Sequence, residues 1–357
     1  MTRDSARTLR SRLPDPTLLS LLGLLSIPGF LFPSLADLQV FGLCFLFALW
    51  PLVGPLFSTS GDTDDPTDWI ESGGSVGRFL LSMVVLQVNV FVQWQSLQQL
   101  VGQVVILARH RGRVPSPETF ESAVEYRLPF DGEWTVAAGS HRRDQSHSWG
   151  ILTQRYAYDV LATDEAGRTY RAAGADDAGE PNDSTDDAGV RSDLESDAPD
   201  DPADYYCFDR PLCAPADGEV VVASDGHPDH DRIGWLDFDQ RSILGNHLVI
   251  RHADSEYSLF AHLRQGSVTV AEGESVAAGQ HVGDCGHSGN STEPHLHFHL
   301  QDGENFFTSA GLPIRFTDVE IAEGPAGEFR RHDAVAISAG QRVRHAGTAE
   351  GESLRSN

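Results

Sequence analysis

Residues 295–300 read His-Leu-His-Phe-His-Leu, and no other stretch restricts the fold as tightly. Strand side chains alternate with a period of two. His295, His297 and His299 would therefore share one face, with Leu296, Phe298 and Leu300 on the other. A helix would scatter the same residues around its circumference. The run predicts a strand that buries apolar surface on one side and presents a row of imidazole nitrogens on the other. A second run, Tyr257-Ser258-Leu259-Phe260-Ala261-His262-Leu263, is also strand-like and ends in a further histidine. Half-exposed strand histidines without a metal would give the same alternation, so the rest of the chain has to decide between the two.

From Tyr126 onward the chain is β-rich. Short runs such as Glu219–Val222, His247–Ile250 and Ser267–Val270 are separated by Gly and Asp turns, with no long amphipathic helix between them. This predicts an antiparallel all-β domain over residues 126–316. Residues 111–125 read as a linker into it. Residues 174–203 are dense in Asp, Gly, Ser and Pro and are expected to be a disordered acidic insertion. Residues 317–357 read as a polar C-terminal tail.

The N-terminal third reads as membrane. Leu38 to Phe57 are 20 consecutive uncharged residues, about the length that crosses a hydrocarbon core. Thr17 to Pro33 is a shorter uncharged stretch, and Asp37 falls in the turn between the two. A transmembrane helical hairpin over residues 14–57 is expected, preceded by a cytoplasmic tail, 1–13, that carries Arg3, Arg7, Arg10 and Arg12. An acidic loop, 58–76, leads to a segment at 77–110 that reads as a third transmembrane helix or an interfacial one. A third crossing would place the β domain outside the cell, on a multi-pass membrane protein. Arg109, Arg111 and Arg113 then flank the outer end, against the positive-inside rule.

Charge and composition exclude several classes of function. The chain has 52 acidic and 26 basic residues, a net charge of -26, and every basic residue is Arg. Nucleic acid is excluded as a partner, because phosphate binding needs clustered cations. Without lysine there is no Schiff base, no P-loop lysine and no attachment point for lipoate or biotin. An acidic, lysine-free surface suits a protein that stays hydrated in very high salt. Cys44, Cys207, Cys213 and Cys285 form no Cys-x-x-Cys pair and are too few for a disulfide framework; one bridge among the last three is compatible with an outside location.

Several motifs follow one another in a fixed order. Ala214-Pro215-Ala216-Asp217-Gly218-Glu219-Val220-Val221 is a turn entering a strand, and Gly245-Asn246-His247-Leu248-Val249-Ile250 and Tyr257–Leu263 come next. Gly286-His287-Ser288-Gly289-Asn290-Ser291 then leads into Pro294-His295-Leu296-His297. Together they resemble the lysostaphin-type zinc endopeptidases, murein-hydrolase-like enzymes with a His-x-His signature and a compact antiparallel β fold. The resemblance implies Zn2+ as cofactor, His297 and Asp159 as metal ligands, and His295 and His262 as catalytic residues. It departs from the family at Arg155, where a ligand histidine usually stands four residues before the aspartate. A guanidinium has no lone pair to donate, so another residue has to complete the shell. His147 is the candidate third ligand, and His141 the weaker one.

The function implied is a membrane-anchored zinc metalloendopeptidase that hydrolyses peptide bonds of a cell-envelope peptide or protein through a zinc-activated water. Its partners would be that substrate and the lipid membrane. The alternative is a catalytically degenerate member of the same fold that binds an envelope partner or regulates. The Val268–Val282 stretch also resembles the hairpin of lipoyl and biotinyl carriers, a role the missing lysine rules out. His299 is expected to be a satisfied histidine at the edge of the site. His247 and His252 read as structural, Glu293 as a solvated turn residue, and Trp134 as core or rim packing.

Overall fold

The computed structural model describes residues 19–49, 65–74, 76–146, 148–171, 198–236 and 238–347. The strands are β1 (Trp134–Ala138), β2 (Tyr158–Leu161), β3 (Pro211–Cys213), β4 (Gly218–Ser224), β5 (Asn246–Ala253), β6 (Glu256–Leu263), β7 (Ser275–Val276), β8 (His281–Asp284), β9 (Leu296–Gln301), β10 (Gly311–Leu312), β11 (Phe316–Glu323), β12 (Arg330–Val335) and β13 (Gln341–His345). Among the described residues, one sheet runs β12-β11-β13-β1-β2-β9-β6-β5-β4-β7, with β10 paired to β9; β3 and β8 form a separate ribbon. The pairings are antiparallel.

The period-two reading of residues 295–300 holds. Leu296, Phe298 and Leu300 are buried in the main core with Phe260, Leu248, Ile250 and Val160 on one side of the sheet. The opposite side carries the imidazoles and a smaller apolar group of Leu244, Val249, Leu259, Ala261 and Phe306. Register places Asp159 opposite His297, Ala261 opposite His297, and Leu259 opposite His299.

Residues after 316 are not a tail with little to pack. β11, β12 and β13 extend the sheet, and Phe316, Val319, Ile321 and Val343 are buried in the main core. Their polarity misleads because one face of this wing is solvated. Glu320 pairs with Arg344 across strands at 2.8 Å, and Arg342 with Glu133 at 2.9 Å. The linker is likewise tied down: buried Glu256 accepts hydrogen bonds from the Ser122 hydroxyl, the Ala123 amide and the Tyr126 hydroxyl. Ser267–Val270 is extended chain rather than a strand, with the Thr269 amide donating to the Val282 carbonyl. Of the acidic insertion, residues 174–197 lie outside the described residues. Ala198 packs against the cluster of Tyr170, Tyr205 and Ile233, while Asp200, Asp201 and Ala203 are exposed.

The N-terminal region is helical but broken. Helical turns at Ser20–Ser26 lead into α1 (Ile27–Leu31), followed by Pro33–Leu49 with a kink at Leu35. Residues 1–18 and 50–64, including the end of the 20-residue uncharged run, lie outside the described residues. No single helix among the described residues is long and apolar enough to cross a membrane. The third segment is α2 (Val76–Val85), a turn at Leu86–Val88, and α3 (Val90–Arg109). These two helices have the length and composition of a span only as a pair, bent by 90°. Asn89 makes the bend. Its backbone is extended, its side-chain oxygen caps α3 at the Phe91 and Val92 amides, and its side-chain NH2 donates to the Phe238 and Gln240 carbonyls.

Candidate metal and catalytic centre

Asp159, His262, His295 and His297 converge although they come from distant parts of the chain. Sheet pairing of β2, β9 and β6 does this. Asp159 Oδ1 lies 2.8 Å from His297 Nδ1 and 3.8 Å from His295 Nε2. The His262 ring centroid is 4.8 Å from that of His295 and 5.9 Å from that of His297.

A line of hydrogen bonds behind His297 sets its tautomer. The Gln301 side-chain NH2 donates to the Gly303 and Glu304 carbonyls, so its Oε1 faces His299 as an acceptor. His299 Nε2, 3.0 Å away, is then the donor, which leaves His299 Nδ1 with a lone pair. His297 Nε2 donates to that lone pair at 3.2 Å. A neutral His297 therefore points the lone pair of Nδ1 at a carboxylate oxygen. Two acceptors at 2.8 Å need a cation between or beside them, either a proton that makes the imidazolium or a metal ion. An imidazole nitrogen and a carboxylate oxygen are both donor types that Zn2+ accepts.

The other two histidines are oriented by main chain. His262 Nδ1 donates to the Ser288 carbonyl and His295 Nδ1 to the Glu293 carbonyl, each at 2.8 Å. Both rings thus carry their lone pairs on Nε2, and that of His295 lies 3.8 Å from Asp159 Oδ1. Burial pushes His262 well below the ordinary imidazole pKa, and neighbouring His295 and His297 add to the effect. His262 has a φ of +63°, in the left-handed region. Main-chain bonds hold it there: its amide donates to the Leu244 carbonyl, and its own carbonyl accepts from Gly286.

Arg155 is engaged by Trp149. Its guanidinium lies 5.1 Å from the Trp149 ring centroid and its Nε donates to the Trp149 carbonyl. Trp149 also packs edge-on against Tyr156, so an aromatic turn closes over residues 149–156. His147, the expected third ligand, lies outside the described residues. His141 packs edge-on against Tyr156, and burial lowers its pKa to about 4. Among the described residues no group of three or more His, Cys, Asp or Glu side chains is arranged to hold a metal; Asp159 and His297 supply a pair. All four cysteines are free thiols.

Two expectations need correction. His299 is satisfied, as expected, but is no edge residue: it is fully buried and bonds His297 through Nδ1, while burial lowers its pKa to about 3. Gln301, two residues on, belongs to the same row, and the alternation that exposed the histidines extends to it. Glu293 is not solvated. It is 7% exposed and accepts from the Ser72 hydroxyl, the Gly73 amide and the Thr169 hydroxyl, docking residues 65–74 onto the domain. A further buried imidazole, His287, donates from Nδ1 to Ser291 Oγ at 2.9 Å, and its pKa is lowered to about 3, chiefly by burial. His252 is structural, as expected, and bonds the Asp217 carbonyl and Ser258 Oγ beside Tyr126. Trp134 is core, stacked on Phe130.

Residues 204–308 match the profile of peptidase family M23. His262, His295 and His297 fall inside that segment, whereas Asp159 precedes it across the acidic insertion. The peptidoglycan DD-endopeptidase ShyA of Vibrio cholerae is 32% identical over 90 residues, 25% of this chain and 17% of ShyA. The DD-carboxypeptidase/endopeptidase Mpg of Neisseria meningitidis is 34% identical over 95 residues, 27% of this chain and 19% of Mpg. The chain thus spans less than a fifth of the length of these two relatives. The catalytic domain of the antimicrobial peptidase lysostaphin from Staphylococcus simulans aligns at 24% identity with a TM-score of 0.23, over 29% of this chain and 68% of that domain.

Proposed function

We propose, for a chain whose peptidase domain belongs to the lysostaphin-type M23 family, that it is a membrane-anchored zinc metalloendopeptidase acting on a peptide or protein of the cell envelope. The observation that carries this is the confrontation of His297 Nδ1 with Asp159 Oδ1, fixed from behind by His299 and Gln301. Asp159, His297 and His147 would hold the metal, completing the three-ligand shell of a catalytic site with an open position for water. Zinc bound there supplies Lewis acidity, lowering the pKa of a bound water to about 7 and polarising the scissile carbonyl.

The chain's own residues do the remaining chemistry. His262 is kept neutral by burial, so its Nε2 is free to accept a proton from the attacking water. The same lowered basicity makes it a ready donor to the leaving amine. His295, with Nδ1 donating to a carbonyl, orients the water through Nε2. Relatives named for peptidoglycan endopeptidase activity support an envelope peptide as the substrate. Reporter fusions after residues 57, 76 and 113 would read the side of the membrane on which the domain lies.

The central test is metal analysis of the purified protein under non-chelating conditions. Wild type should carry zinc. His297→Ala and His147→Ala should lose it, and His141→Ala should keep it. His262→Ala and His295→Ala should keep zinc and lose peptide cleavage. A wild-type protein without zinc refutes the reading. Zinc without cleavage of any peptide in a broad library would favour the degenerate binder of the same fold.

A further inference from the structure

The α2–α3 pair buries polar side chains and exposes apolar ones. A helix on a water-soluble domain turns its apolar stripe inward and its polar stripe to solvent. Here Gln95 is 8% exposed and Gln103 4%, while Val90 is 72% and Trp94 61% exposed. Leu97, Val101 and Val104 continue the outer stripe, and Val84, Val88 and Phe238 extend it past the bend.

The inward polar groups are fully used. Gln95 donates to the Arg241 carbonyl and accepts from the Ile243 amide. Gln103 does the same with the Gly150 carbonyl and the Leu152 amide. Ser82 accepts from the Leu236 amide. The helices therefore use side-chain amides to satisfy two loops of the domain, and this leaves much of their apolar surface outermost, beside exposed Gln87 and Gln93, while Leu86 and Ile106 turn inward. Such a polarity is stable where the outer medium is not water. Charge points to the same medium: a chain of net charge -26 has no charged residue from Phe79 to Ala108, and then Arg109, Arg111 and Arg113 at the end of the segment.

The seat lies on the catalytic side of the sheet. Gln95 lines a cavity of about 240 Å³ with Val249, Leu259, Phe306 and His247. Leu259 pairs with His299, and Val249 with Leu259, so this is the face that carries His297 and His299. Among the described residues, α3, a helix roughly 10 Å thick, lines this cavity through Gln95 and carries the outer stripe on its other side.

We propose that the outer face of α2 and α3 rests flat in the surface layer of a lipid bilayer, with the imidazole-bearing face of the sheet turned toward that bilayer. On this view the segment at 77–110 does not cross. Resting on the peptidase reading, the geometry selects substrates whose scissile stretch lies at the membrane surface, meaning peptides or proteins held there by a lipid or a transmembrane anchor.

The test uses the full-length protein in phosphatidylcholine–phosphatidylglycerol bilayers whose lipids carry bromine either near the headgroup or at the tail end. The contribution of Trp94 is the difference between wild type and Trp94→Phe. It should be quenched by bromine near the headgroup and hardly by bromine at the tail end. Stronger quenching from the tail end would mean a crossing segment and overturn the proposal. So would the absence of any quenching in protein that cosediments with the vesicles. Orientation is read separately, in a Cys44→Ser background, from a dye on Glu304→Cys beside the cavity or on Asp333→Cys at the far edge of the sheet. Energy transfer to a headgroup acceptor should be higher from position 304; equal or reversed transfer refutes the orientation. Neither readout depends on zinc or cleavage, so a failed peptidase assay and a failed seat are distinguishable.

Discussion

Replacing His299 by leucine tests whether the buried line Gln301–His299–His297–Asp159 orients a metal ligand. The substitution keeps similar bulk but removes the acceptor of His297 Nε2–H and the donor to Gln301 Oε1. His297 is 5% exposed at the residue level, so its loss of a partner should lower stability by about 1–3 kcal/mol. The effect on the metal is larger in kind. Without His299, the proton of a neutral His297 is free to move to Nδ1, where it competes directly with zinc. Removing a group that orients a ligand costs about 10–100-fold in metal affinity, roughly 1.4–2.8 kcal/mol. Zinc affinity would be read by competition with a chromophoric chelator at fixed pH, and stability by denaturant unfolding of the metal-free protein. His252→Leu is the control, because it removes a histidine with two comparable hydrogen bonds on the other side of the sheet. It should lose stability and leave zinc affinity alone. If His299→Leu binds zinc as tightly as wild type while losing stability like the control, His299 is packing and the tautomer argument is wrong.

Three further outcomes follow from the structure. His141 and His287 have folded pKa values of about 4 and about 3, below the ordinary 6.5, so the unfolded chain binds more protons as pH falls beneath 6.5. Their contribution is complete above that pH and is lost on acidification at about 1.4 kcal/mol per unit each, near 2 kcal/mol each by pH 5. His141→Gln and His287→Gln should each flatten the pH–stability curve between 6.5 and 5, and unchanged slopes in denaturant titrations would contradict this. Glu293→Leu strands the Ser72, Gly73 and Thr169 donors; a loss of about 3 kcal/mol and faster proteolysis within residues 65–74 are expected, against neither if the carboxylate is incidental. A chain ending at Ile314 lacks β11–β13 and uncovers β1, so it should fail to unfold cooperatively in calorimetry; an unchanged transition would restore the reading of a dispensable tail.

Much of the centre was legible in the sequence because its information is local. The alternation at 295–300 fixes which side chains share a face, and the Tyr257–Leu263 run ends in His262 for the same reason. Long-range register is another matter. Asp159 and His297 are 138 residues apart, and motif resemblance rather than pattern joined them before the sheet did. Glu293 was misread because a lone carboxylate in a turn carries no sign of the three donors that other segments bring to it. Residues after 316 were misread because a wing with one wet face dilutes its apolar positions among Arg and Glu. In the helical segment at 77–110 the hidden information is again long-range. Its glutamines look like a solvated face, yet loop carbonyls and amides, which no helical periodicity records, draw them inward.

His262 has a consequence for sequence variation at its position. A strand ordinarily favours β-branched residues, since extended backbone suits them. At a φ of +63° the preference inverts: glycine and asparagine fit the backbone, alanine is strained, and valine or isoleucine more so, by roughly 1–2 kcal/mol. The residues that suit this backbone best cannot move a proton, and the one that can is held there by its neighbours' main chain. Ranking substitutions at 262 by stability should therefore give an order opposite to that of any other position in β6, with histidine retained for what it does rather than for how it folds.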